Sequence, residues 1–143
     1  MRPLFFLLLV VSLWAWLHSP AMAKEGDISI TYMPFSYHHI DDPDVDNETH
    51  HGVGINYNLP DDFTIGVMTY KNSYSKRSVM FHVAREFAHS GDWHFGAGAG
   101  MVNGYDEHLM IPMLAWGSVR YKWLQINHVP LQVTTVSINI PIN

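Results

Sequence analysis

The chain has no cysteine. Disulfide staples, thiolate metal ligands, thiol nucleophiles and a lipid-modified N-terminal cysteine are all excluded by that one absence. Basic residues are scarce as well: 8 Lys and Arg stand against 13 Asp and Glu, for a formal net charge of -5. Nucleic-acid phosphates are bound by basic stripes, so DNA and RNA are not expected partners. Although 48% of the residues are hydrophobic, only the N-terminus carries a long apolar run. A helical membrane protein needs spans of about 20 apolar residues. The remaining apolar content must be distributed by alternation.

What is present begins with Met1-Arg2, the apolar run Leu4 to Trp16 and the small-x-small pattern Ala21-Met22-Ala23. A signal peptidase would cut such a segment before Lys24, and the run is too short to remain as a helical anchor. This predicts a signal peptide over 1–23 and one exported domain over 24–143, a length suited to a single core.

From Asp27 onward the hydrophobic period is two. Ile28, Ile30 and Tyr32 share one face, and the first predicted strand continues through Pro34 to His38. Further strands are expected at Gly52 to Asn58, Phe63 to Tyr70, Ser78 to Phe87, Trp93 to Val102, Ile111 to Tyr121, Lys122 to Val129 and Leu131 to Ile142. Leu59-Pro60-Asp61-Asp62 and Gly91-Asp92 read as turns. Eight strands of about 9 to 11 residues predict an all-β fold, an eight-stranded antiparallel up-and-down transmembrane β-barrel. Trp93, Trp116, Trp123 and Tyr121 are candidates for its aromatic girdles. Gly96, Gly98 and Gly100 on one face of strand five leave interior room for side chains or a ligand, or simply relieve crowding. A soluble periplasmic lipocalin-like barrel has the same strand count, with an apolar inside and a polar outside.

Two groups of residues invite chemistry. His38 and Ser73 fall at strand ends on the same side of the predicted barrel, and histidine beside a serine hydroxyl is the minimum for acyl transfer. Ordinary rim and turn roles would use the same residue types. The stretch from His38 to His51 is rich in Asp, Glu and His, yet Asp42, Asp44 and Asp46 lack the glycine and closing glutamate of a calcium loop. A solvated loop is the expectation there, with no metal site.

In series, Met33-Pro34-Phe35-Ser36-Tyr37-His38, Asn47-Glu48 before Gly52-x-Gly54, Tyr70-Lys71-Asn72-Ser73-Tyr74-Ser75-Lys76, Phe95-Gly96-x-Gly98, Ile111-Pro112, Ser118-Val119-x-Tyr121 and Val129-Pro130 resemble the PagP family of outer-membrane lipid A palmitoyltransferases. The resemblance covers most of residues 24–143. It implies an outer-membrane enzyme that moves a fatty acyl chain from a phospholipid to lipid A without a cofactor, and a monomer is expected because a closed small barrel has no edge that demands a partner. The family histidine and serine fall on His38 and Ser73, while its aspartate position holds Asn72, which implies a polar orienter, an oxyanion donor, or a substitute acid such as Asp41 or Asp42. The family's pocket-depth glycine falls on Ala84, and Gly96 and Gly98 are expected to line the acyl pocket. Only Lys24-Glu25-Gly26 precede strand one, where the family carries an amphipathic helix. A non-catalytic barrel of the same fold, kept for lipid binding, adhesion or receptor blocking, is the rival expectation.

Overall fold

The computed structural model describes residues 24–39, 48–104 and 111–142. The predicted signal peptide and the loop residues Asp41, Asp42, Asp44 and Asp46 lie outside them. All regular elements among the described residues are strands: β1 (Ile28–His38), β2 (Thr49–Asn58), β3 (Phe63–Lys71), β4 (Arg77–Ser90), β5 (Trp93–Val102), β6 (Ile111–Tyr121), β7 (Leu124–Val129) and β8 (Val133–Ile142). Each pairs antiparallel with its sequence neighbour, and β1 pairs with β8 to close the barrel. Closure pairs every strand on both sides, although the β6–β7 pairing covers only Gly117–Tyr121 of β6.

The expected strands are all found, and the differences lie at their ends. β2 begins at Thr49 rather than Gly52, which brings His50 onto the strand. β7 and β8 start later than expected, because Lys122 (φ 53°) and Leu131 (φ 61°) take the left-handed conformation and belong to turns. Asp61 and Asp62 do the same between β2 and β3, where short polar side chains tolerate positive φ.

Alternation is translated directly into sidedness. On β2 the outward residues Val53, Ile55 and Tyr57 are exposed, whereas His50 and Asn56 are buried in the lumen. The same division holds around the wall, with Ile28, Ile65, Phe81, Phe95 and Ile126 outside and Thr31, Thr64, Asn127 and Ser137 facing the internal cavity. The outer wall is apolar and much of the inner wall polar, opposite to a lipocalin-like interior. Among the described residues, the buried apolar side chains Met33, Met68, Tyr70 and Val102 form one cluster, with Met80 and Leu114 packed against it.

β1 contains the irregularity on which the site depends. Pro34 cannot donate to a sheet ladder, and the register of β1 shifts there against both β2 and β8. Ser29, Thr31 and Met33 are buried before the shift, and Ser36 is buried after it. Odd positions face the lumen below Pro34 and even positions above it. Without that extra residue, Phe35 and Tyr37 would enter the lumen in place of Ser36 and His38.

Candidate functional site

The site lies at the barrel end opposite the strand termini Ile28 and Ile142, where β1 ends, β2 begins and the β3–β4 loop crosses the rim. Ser73 in that loop and His38 at the end of β1 meet with Oγ and Nε2 2.6 Å apart. The structure thus brings together the two residues singled out from sequence. The other ring nitrogen of His38, Nδ1, faces the Glu48 carboxylate at 3.9 Å, and the His38 amide approaches the same oxygen at 3.5 Å. His38 is mostly enclosed while Glu48 is exposed. The His38 ring thus has the Ser73 hydroxyl in hydrogen-bond contact at one nitrogen and the Glu48 carboxylate as a more distant neighbour of the other.

Asn72 is placed differently from the expected roles. It is fully buried under the loop. Its Oδ1 accepts from the backbone amides of Tyr74 (3.0 Å) and Lys76 (2.9 Å), and its Nδ2 donates to Ser78 Oγ (3.1 Å) and to the Gly104 carbonyl (2.7 Å). Both ends of the amide are used in shaping the loop that presents Ser73. An aspartate could not make this set, since it would set a carboxylate oxygen against the Gly104 carbonyl. The carboxylate beside His38 comes from Glu48 instead, a residue grouped in the sequence with the acidic loop. Its one visible signal was its place next to the first glycine-rich strand; that β1 and β2 pair and bring it to His38 is tertiary information.

Ser73 and His38 open onto a cavity of about 540 Å³ that runs down the lumen. This is a size suited to a small ligand or a single chain. Met68, Met80, Leu114 and Trp116 on β3, β4 and β6 supply apolar lining, with His82, Thr64, Ser118 and Glu86 on the same strands, whereas Asn127, Thr135, Ser137 and Asn139 on β7 and β8 are polar. Ala84 is among the residues that line the cavity. Gly98 serves another purpose, because a Cβ there would come within 2.5 Å of the Trp116 indole. The room left by Gly98 is filled by that ring, so Trp116 belongs to the lumen and not to an outer girdle. Gly96 lies under Ser118 and the Arg85 carbonyl, 2.9 and 2.7 Å from where a Cβ would stand. Trp93 and Tyr121 are the members of the expected girdle that pack together on the outer surface near the other rim, their ring centroids 4.8 Å apart.

The cavity reaches down to Glu86. Arg120 grips that carboxylate with Nε and Nη2 at 2.7 and 2.8 Å, and Nη1 donates to the Lys122 carbonyl. His94 Nδ1 is 2.9 Å from the same carboxylate. Among the described residues no three His, Asp or Glu side chains are grouped to hold a metal ion.

Fold and site define a closed eight-stranded barrel with an apolar outer wall and a serine–histidine pair at the mouth of an internal cavity. Neither a scan against protein-family models nor a search of curated proteins finds a match to this chain.

Proposed function

We propose that the chain is an outer-membrane acyltransferase that moves a fatty acyl chain from a phospholipid to a hydroxyl of lipid A. The observation that carries this reading is the Ser73–His38 contact at the mouth of a lumen into which Met68, Met80 and Leu114 project. The apolar outer wall suits a bilayer, where only closed barrels and helices satisfy every backbone group. Access from the bilayer fits the pairing of β6 with β7, which runs from Tyr121–Leu124 only to Gly117–His128 while β6 itself extends to Ile111. The upper half of β6 is thereby left beside a lateral gap through which an acyl chain reaches the lumen.

In this mechanism the donor chain lies along Met68, Met80 and Leu114 with its ester at the rim. Ser73 Oγ attacks the ester carbonyl as His38 Nε2 takes the hydroxyl proton. The bond from acyl carbon to glycerol oxygen then breaks, and His38 returns the proton to the departing lysophospholipid. A lipid A hydroxyl, deprotonated by His38, next attacks the acyl-serine and regenerates Ser73. Glu48 favours the imidazolium that forms in both halves. The carboxylate of the proposed site is therefore Glu48, and Asn72 is the loop's organiser.

The test is mass spectrometry of lipid A from outer-membrane-competent cells expressing the chain. One added acyl mass is expected, and Ser73→Ala and His38→Ala should each lower its formation about 10³-fold or more while heat-modifiable gel migration still reports a closed barrel. Unchanged lipid A with a folded barrel in the outer-membrane fraction would instead favour the non-catalytic lipid-binding barrel. Recovery in the soluble periplasm would remove the membrane placement.

A further inference from the structure

A second serine–histidine pair stands beside the first. Ser36, turned into the lumen by the shift at Pro34, has its Oγ 2.5 Å from His50 Nε2, and His50 Nδ1 is 2.5 Å from the Lys71 carbonyl oxygen. Both side chains are 3% exposed. A carbonyl only accepts, so Nδ1 carries a proton and donates to Lys71; in the neutral ring Nε2 is then left to accept from the Ser36 hydroxyl. Both nitrogens are engaged, and His50 is no spare base.

Its position suggests another use. Ser36 lies two residues before His38, and Lys71 two residues before Ser73, so the His50 ring links the segments that carry the two reacting atoms. β1 and β3 are separated by β2, and the β2–β3 pairing stops at Val53–Thr69, short of Lys71. His51, with φ 44°, departs from strand geometry at the same place. His50 bridges β1 and β3 there, with its ring edge-on to Tyr70 and to His38 at centroid separations of 5.8 and 6.3 Å.

We propose that His50 is a positioning residue: its imidazole is a strut between Ser36 and Lys71 that sets the distance from Ser73 Oγ to His38 Nε2. The catalytic consequence rests on the transferase reading, whereas the geometric one does not. Misplacing reacting groups by about 1 Å can cost 100-fold in rate without loss of substrate affinity.

The experiment compares the full-length wild type with His50→Leu, which removes both hydrogen bonds, His50→Gln, whose amide can donate and accept, and Ser36→Ala. Transfer from a defined phospholipid to lipid A in detergent micelles is measured per folded molecule, the folded fraction being read from gel migration. For His50→Leu, kcat is expected to fall about 100-fold with the donor KM nearly unchanged. His50→Gln should recover most of it, and Ser36→Ala should fall between the two. A folded His50→Leu barrel with wild-type kcat, or one whose whole deficit is a lower folded fraction, overturns the strut. Imidazole ¹⁵N NMR, with His38→Ala to assign the signal, reads the geometry without turnover. The His38 Nε2 resonance should move in His50→Leu and return in His50→Gln. An unmoved resonance in the folded barrel overturns the proposal even if wild type transfers nothing, an outcome that by itself counts only against the transferase reading.

Discussion

The two ends of the barrel are built from different interactions. At the end near Ile28 and Ile142, short turns join the strands, and on the neighbouring strands β4, β5 and β6 the Glu86–Arg120 ion pair has His94 beside it. At the other end the connections are longer, the β2–β3 pairing stops early, and single hydrogen bonds through Asn72, Ser36 and His50 hold the loop and strand ends. The first arrangement ties neighbouring strands together through a pair of charges; the second leaves a histidine within reach of a serine at the mouth of the cavity. The floor is held by a charged pair set away from the reacting atoms, whereas the hydrogen bonds of the mouth are made by side chains that stand beside them.

Substitutions at the two ends should therefore separate activity from stability. The largest effect is expected at Pro34, where Pro34→Val supplies the missing donor and favours a regular β1. With the register restored, Phe35 and Tyr37 would face inward and His38 outward. Transfer should disappear while heat-modifiable migration persists, and retention of wild-type transfer would show that the shift does not depend on proline.

Asn72→Asp comes next. Although it recreates the acid that the family resemblance implies, it sets a buried carboxylate against the Gly104 carbonyl. A loss of about 2 to 3 kcal/mol in barrel stability is expected, with lower transfer rather than higher. Urea midpoints and lipid A masses measure the two, and increased transfer would sink the assignment of Glu48.

For Glu48→Gln the expected loss is about fivefold in transfer rate, equal to about 1 kcal/mol. The small size follows from the 3.9 Å separation and the exposure of the carboxylate, where screening limits an ion pair to about 1 kcal/mol. Stability should hardly change. At the opposite end Glu86→Gln should do the reverse: about 1 to 2 kcal/mol of stability lost, since Arg120 and His94 keep a neutral partner in place of a charged one, and transfer within twofold of wild type. A comparable fall in transfer for both variants would end the distinction between floor and mouth.

The elements were legible because alternation survives any change of context. Ile28, Ile30 and Tyr32 on one side and Ser29 and Thr31 on the other require a strand with two unlike faces, whatever its neighbours. The site was legible in part. Ser73 and His38 could be named from their places at strand ends, but the acid could not, because Glu48 reaches His38 across the β1–β2 pairing. His50 was missed because the run from His38 to His51 reads as one polar loop, and only the pairing of Phe35 with Thr49 carries β2 that far. Trp116 was assigned to the outer surface since an alternating pattern alone does not say which face is inward.

By itself the sequence determined the number of strands, their approximate bounds, the absence of thiol chemistry and the spacing that makes one barrel the economical solution. These are local consequences of period, turn residues and composition. The tertiary structure decided which face is the lumen, that Pro34 reverses the sidedness of β1, that Asn72 shapes a loop, and that Glu48 and His50 flank the Ser73–His38 pair. Register and closure set these relations, and both arise from hydrogen bonds between strands that no single segment contains.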